Sequence, residues 1–188
     1  SRGPYYSAVE WWTDRIMTIL PAEMDRANRH QWLINIIAHD PRWFEMSHVA
    51  LQAADLGIVG FNVNQREVPD GVGAVLRKIQ EATAGDDNAV VIPVAEVEEL
   101  FRELEYVHMI DGEEVGLAEK DESEGTRNWL DLAIPAMYCL TKGGVLLVDE
   151  LDSSLHPDLV RLLIGLFSDT TINVLGAQIV YTTHDVTV

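Results

Sequence analysis

The stretch Gly144-Val-Leu-Leu-Val-Asp149-Glu150-Leu-Asp152-Ser153-Ser154-Leu155-His156-Pro157 decides the fold. A short apolar run with the composition of a buried strand ends abruptly in two adjacent carboxylates. Further on, a second apolar run, Ala177-Gln-Ile-Val-Tyr-Thr182-Thr183, ends in His184. Neighbouring strands of a parallel sheet that end this way bring an Asp, a Glu and a His to the carboxyl edge, where open α/β sheets bind ligands. Around them the pattern alternates. Arg127 to Leu140 reads as a helix kinked by Pro135, Val145 to Val148 as a strand, Pro157 to Phe167 as a helix with Pro in its first turn, and Ala177 to Thr182 as a strand. Such alternation predicts a parallel sheet with crossover helices.

The residue types suit phosphate chemistry. A carboxylate closing a strand, as Asp149 does, can hold a Mg²⁺ through its hydration shell. Glu150, leaving the strand, can orient an attacking water or accept its proton, and His184 can donate to a phosphate or to that water. The plainer reading of the acidic pair is a helix cap. Upstream, Glu122-Ser123-Glu124-Gly125-Thr126 opens the helix that leads into the carboxylate strand, and a helix N-terminus with Ser and Gly offers a hydroxyl, backbone N–H groups and the positive dipole end to an anion. Its plainer reading is a Ser N-cap followed by a flexible Gly. The ordered spacing of Ser-x-Gly, helix, strand, Asp-Glu and His favours the chemical reading.

Together, Glu122 to Thr126, the Gly144-to-Pro157 block and Gly176-Ala-Gln-Ile-Val-Tyr-Thr-Thr-His-Asp185 resemble the C-terminal lobe of an ABC-class ATPase. The resemblance is to the branch holding RecF, SMC and OLD-type proteins and the AAA-type ATP-binding proteins of bacterial abortive-infection loci. It is strong over residues 121–185, loose over 50–120, and extends to Ala54-Asp-Leu-Gly-Ile58. It implies an α/β fold: a parallel-sheet ABC-ATPase half-domain preceded by a helical subdomain and a small antiparallel hairpin region. It implies ATP and Mg²⁺ as cofactors, Asp149 as the metal carboxylate of the Walker B strand, Glu150 as catalytic glutamate and His184 as switch histidine. Ser153 and Ser154 begin the D-loop, and Ser123, Gly125 and Thr126 form the signature that meets the γ-phosphate held by the second protomer of a homodimer. Glu124 where transporters carry Gly, Leu151-Asp152 in place of Pro-Thr, and His156-Pro157 where they carry Asp set the chain apart from transporter subunits. His156 either belongs to the D-loop or simply caps and packs at the loop-to-helix junction.

The sequence holds no Gly-x-x-x-x-Gly-Lys-Ser/Thr phosphate loop. Without that cradle the β- and γ-phosphates lack their main ligands. The expectation is therefore one lobe of an ATPase, completed by a Walker A lobe, with cut ends and little ATP binding of its own. Two other readings compete: a non-catalytic interaction module derived from such an ATPase, and a metal-dependent hydrolase using Asp149, Glu150 and His184 directly.

Residues 1–57 read as a helical subdomain, 58–120 as a mixed connecting region with a hairpin, and 121–188 as the signature, Walker B and H-loop lobe. Trp11, Trp12, Ile16, Ile19 and Leu20 recur at near-helical spacing, as do Leu33, Ile34, Ile36 and Ile37, and the aromatics read as core or inter-helix packing. Pro21 and Pro41 are placed to start helices, and Gly57 to stop one. Phe61-Asn-Val-Asn suggests a strand, Val72 to Ala84 a helix and Gly85 to Asn88 a loop. Glu105 to Met109, Asp111-Gly112 and Glu113 to Leu117 read as a hairpin outside the parallel core.

The net charge of −18 argues against a grip on nucleic acid by this chain alone, leaving that to a full-length protein. From Glu96 to Glu124 twelve Asp and Glu stand against Arg102 and Lys120, the pattern of a solvated acidic face or, less simply, of a docking surface. The single Cys139 permits no internal disulfide and fits a reducing cytoplasm. No apolar run reaches the roughly 20 residues that span a bilayer, and Ser1-Arg-Gly-Pro-Tyr-Tyr does not read as a signal peptide.

Overall fold

The computed structural model describes residues 4–54, 57–66, 71–72, 74–75, 78, 101–153 and 155–184. In chain order these form α1 (Pro4–Arg15), β1 (Ile16–Ile19), α2 (Glu23–His39), α3 (Pro41–Ala53), β2 (Ile58–Gln65), β3 (Arg102–Ile110) and β4 (Glu113–Ala118). A 3₁₀ turn (Glu119–Asp121), α4 (Glu124–Lys142), β5 (Val145–Val148), α5 (Pro157–Ser168) and β6 (Gln178–Tyr181) follow. Residues 71, 72, 74, 75 and 78 are helical, in line with the helix expected from Val72. The rest of that helix, the loop Gly85 to Asn88, and Ser154 lie outside the described residues.

Two sheets divide the strands. β5 is the centre of a wholly parallel sheet in the order β1-β5-β6, so the two apolar runs ending in Asp149-Glu150 and in His184 are immediate neighbours. β2, β3 and β4 form a separate antiparallel sheet, with the β3–β4 turn at Asp111-Gly112, both in positive-φ conformation as a tight hairpin requires.

One expectation fails at Ile16–Ile19. These residues are not a continuation of the helix carrying Trp11 and Trp12; they are the edge strand β1, paired in register with Val145 to Val148. Ile, Thr and Ile favour the extended backbone, and a ladder with a buried strand outweighs a helical stripe of two turns. Gly144 makes the pairing feasible, because a Cβ there would sit 2.4 Å from the Arg15 carbonyl oxygen. Trp11 and Trp12 also differ from expectation: both are exposed, meeting each other edge to face rather than filling the core.

α4 is the structural axis. Eleven of its residues from Thr126 to Leu140 are buried, packing against α2, α3, α5, β1 and β5. Trp129 is fully buried and its indole N–H donates to the Ala50 carbonyl at 2.8 Å, which ties α4 to α3. Pro135 lies inside the helix, which continues past it to a left-handed C-cap at Gly143. One apolar cluster, running from Ile19 to Ala177 in sequence, joins both sheets and the helices between them.

Candidate functional site

The register of β5 with β6 sets the geometry of the site. Val148 pairs with Tyr181, so both strands terminate at the same level, and the next residues, Asp149 and Thr182, face each other. Thr182 Oγ1 donates to Asp149 Oδ1 at 2.6 Å and accepts the Glu150 backbone N–H at 2.8 Å. The Leu151 N–H donates to the Thr182 carbonyl at 2.9 Å, and the Asp149 N–H to the Ile19 carbonyl of β1 at 3.0 Å. Every backbone donor from Asp149 to Leu151 is thus held by a neighbouring strand end. Asp152 completes the lock, both of its carboxylate oxygens lying 3.2 Å from the His184 backbone nitrogen.

Glu150 sits in this frame with φ at 54°, a left-handed conformation that few non-glycine residues adopt. Its carbonyl accepts the Ser153 N–H at 3.0 Å, closing a tight turn that throws the side chain off the strand axis. His184 Nε2 lies 3.8 Å from Glu150 Oε1, with the imidazole largely in solvent. Asp149, Glu150 and His184 therefore meet at one sheet edge, as their strand-end positions predicted.

Asp149, Glu150 and Ser153 line a cleft of about 120 Å³ whose other wall includes Arg26 and Arg29 of α2 and Asn128 and Asp131 of α4. Arg26 spans this wall, donating to Asn128 and, at 3.3 Å, to Glu124 Oε1. Behind it His30 lies 2.7 Å from both Asp131 Oδ1 and Glu119 Oε1. Burial opposes charging of His30, but hydrogen bonds and charge from the two carboxylates outweigh it and push the pKa up to about 10.

The other site residues are placed differently. Ser123 is the N-cap of α4: its Oγ accepts the Thr126 N–H at 3.1 Å and lies 2.8 Å from Thr126 Oγ1. Ser123 is exposed, Gly125 half-buried, and Thr126 buried with its hydroxyl engaged. None of the three lines the cleft with Asp149 and Glu150. His156 caps α5, its Nδ1 accepting the Asp158 N–H at 3.3 Å, which is the plainer of its two readings. The acidic segment is only partly a solvated face, because Glu122 folds inward to place Oε2 2.6 Å from His108 Nε2.

Sequence reasoning missed Thr182 and β1. Thr182 had a signal, a hydroxyl residue one step past a strand beside an Asp-Glu pair. β1 had only the Gly144 that makes room for it.

A parallel sheet whose central strand ends in Asp-Glu beside a strand ending toward His, with a capped helix feeding the central strand, defines an ATPase half-domain. The chain belongs to the family described as "AAA domain, putative AbiEii toxin, Type IV TA system", which matches residues 25–188. No curated protein matches it. The family is one of AAA-type ATP-binding domains, and among the described residues no helix is long and apolar enough to cross a membrane.

Proposed function

We propose that this chain carries the hydrolytic sheet edge of an ABC-type ATPase in the RecF, SMC and OLD-like branch, cleaving ATP at the interface of two protomers. The observation that carries the reading is the convergence of Asp149, Glu150 and His184 on adjacent parallel strands, with Glu150 held in a left-handed turn. Backbone strain of that kind persists where surrounding bonds over-determine it, and clusters at active sites.

The residues fit Mg²⁺. Asp149 is exposed and Oδ1 is engaged by Thr182, which leaves Oδ2 for the hydration shell of a cation. Among the described residues no three His, Cys, Asp or Glu side chains form a metal cage, which suits an ion held by one carboxylate and the substrate phosphates. When bound, Mg²⁺ neutralises charge on those phosphates. Glu150 accepts the proton of the attacking water, and His184 donates to the γ-phosphate or to that water. Ser123 and Gly125 at the N-terminus of α4 are offered to the phosphate held by the partner protomer, and Ser153 meets the nucleotide from the cleft it lines with Asp149 and Glu150. Thr126, buried beneath Ser123, shapes the cap rather than meeting the nucleotide. The β- and γ-phosphates are cradled by a Walker A lobe, and the resemblance to abortive-infection proteins points to a phage-defence or DNA-linked role.

The test is Glu150→Gln in the full-length protein. ATP binding should persist, turnover should fall about 10²–10⁴-fold, and the dimer should become ATP-dependent and long-lived in sedimentation. Normal turnover would remove Glu150 from the mechanism, and an interaction module would be indifferent to the change.

A further inference from the structure

We infer that a second pocket, sharing no lining residue with the Asp149–Glu150 cleft, binds a phosphate-type dianion. The chain has 13 Lys and Arg against 31 Asp and Glu, yet four of those 13, Arg66, Arg102, Lys120 and Arg127, line this one pocket of about 290 Å³ together with His30. They come from four places in the chain: just past β2, the start of β3, the 3₁₀ turn and the first turn of α4. The cluster is therefore assembled by the fold and not by a basic run in the sequence.

The pocket's two carboxylates are already opposed. Glu103 is ion-paired with Arg66, and Glu119 faces His30, which Asp131 holds from its other side. Among the described residues Lys120 and Arg127 make no ion pair, and the buried Arg127 Nε has no hydrogen-bond partner. A buried donor left unpaired is costly, and an anion with several acceptor oxygens satisfies it. A guanidinium matches phosphate through parallel N–H groups, while Lys contributes a point charge. Two cations without an ion pair among the described residues call for a dianion; a single carboxylate would leave one of them uncompensated.

The inference is independent of the ATPase reading, and calorimetry on this chain tests it. Inorganic phosphate and ADP are titrated separately in EDTA, so that no metal-bound nucleotide at Asp149 contributes. Saturable binding is expected, weakened about tenfold or more by Lys120→Gln with Arg127→Gln, which removes two charge-assisted contacts to the anion. Asp149→Asn should leave it unchanged. Saturation by phosphate would identify a free-anion site, and saturation by ADP alone a site for phosphate carried on a nucleoside; either supports the inference. Lys120 is exposed, so Lys120→Gln alone keeps the fold and should still weaken binding. Phosphate should also raise the melting temperature of the unaltered chain and not that of the double variant. Absence of saturable binding for both ligands, undiminished binding in a folded double variant, or loss of binding in Asp149→Asn would overturn the inference.

Discussion

Replacing Thr182 by Val removes one hydroxyl at nearly constant volume and tests whether that hydroxyl clamps the acidic turn. Two bonds are lost together: the 2.6 Å donation to Asp149 Oδ1 and the 2.8 Å acceptance from the Glu150 N–H. A neutral hydrogen bond contributes about 1 kcal/mol net and one to a charged group about 1.5–3. Both groups lie at a solvated edge where water replaces part of what is lost, so the expected destabilisation is about 1–2 kcal/mol, or a fall of roughly 2–8 °C in melting temperature for a domain of this size. The effect should be local as well as global. Amide exchange at Glu150 should quicken by more than at Leu146, whose amide sits inside the β5 ladder. Urea unfolding and hydrogen exchange read the two quantities on one sample. An unchanged urea midpoint with an unchanged Glu150 exchange rate would refute the clamp, even if activity were lost.

Gly144→Ala should destabilise by about 1–3 kcal/mol, the usual range for overpacking, because its Cβ meets the Arg15 carbonyl; calorimetric melting checks this, and a neutral result would mean β1 is free to shift. At Glu150 the normal order of substitutions should invert. The left-handed φ of 54° penalises Ala and not Gly, so Glu150→Gly should be at least as stable as Glu150→Ala by chemical denaturation, against the usual deficit of about 0.5–1 kcal/mol for Gly. The pKa of His30, raised to about 10 from the ordinary imidazole value of 6.5, gives a stability contribution fully present below pH 6.5 and lost as pH rises toward 10. Denaturant midpoints across that interval should fall in the native chain and stay flatter in His30→Gln. Equal slopes would show that Asp131 and Glu119 do not hold the proton there.

Much of the fold, in both sheets, was legible because its signals are local. Four apolar residues followed by Asp-Glu, Pro157 at the first position of a helix, and Asp111-Gly112 between alternating runs each name their conformation within a few residues. β1 was not legible for the opposite reason. Ile16–Ile19 is too short for periodicity to separate strand from helix, and the partner that settles it, Val145–Val148, is remote in sequence. The meeting of Glu150 with His184 followed from strand ends alone, but Thr182 did not, since its hydroxyl falls between Asp149 and Glu150 only in one β5–β6 register. Ser123 shows a further limit. A capping Ser and a phosphate-facing Ser have the same neighbours in sequence, and the cap bond from the Thr126 N–H fits both roles.

The burial of α4 has a mechanical consequence. At 19 residues it is about 28 Å long, with Ser123 capping one end and Gly143-Gly144 turning the other into β5. A rod gripped along most of its length cannot bend freely to absorb a push at its tip. Force applied where Ser123 is exposed must be borne by the packing or passed along the axis to the strand that ends in Asp149. The helix thus has the build of a strut, set between the exposed cap at Ser123 and the strand that ends in Asp149.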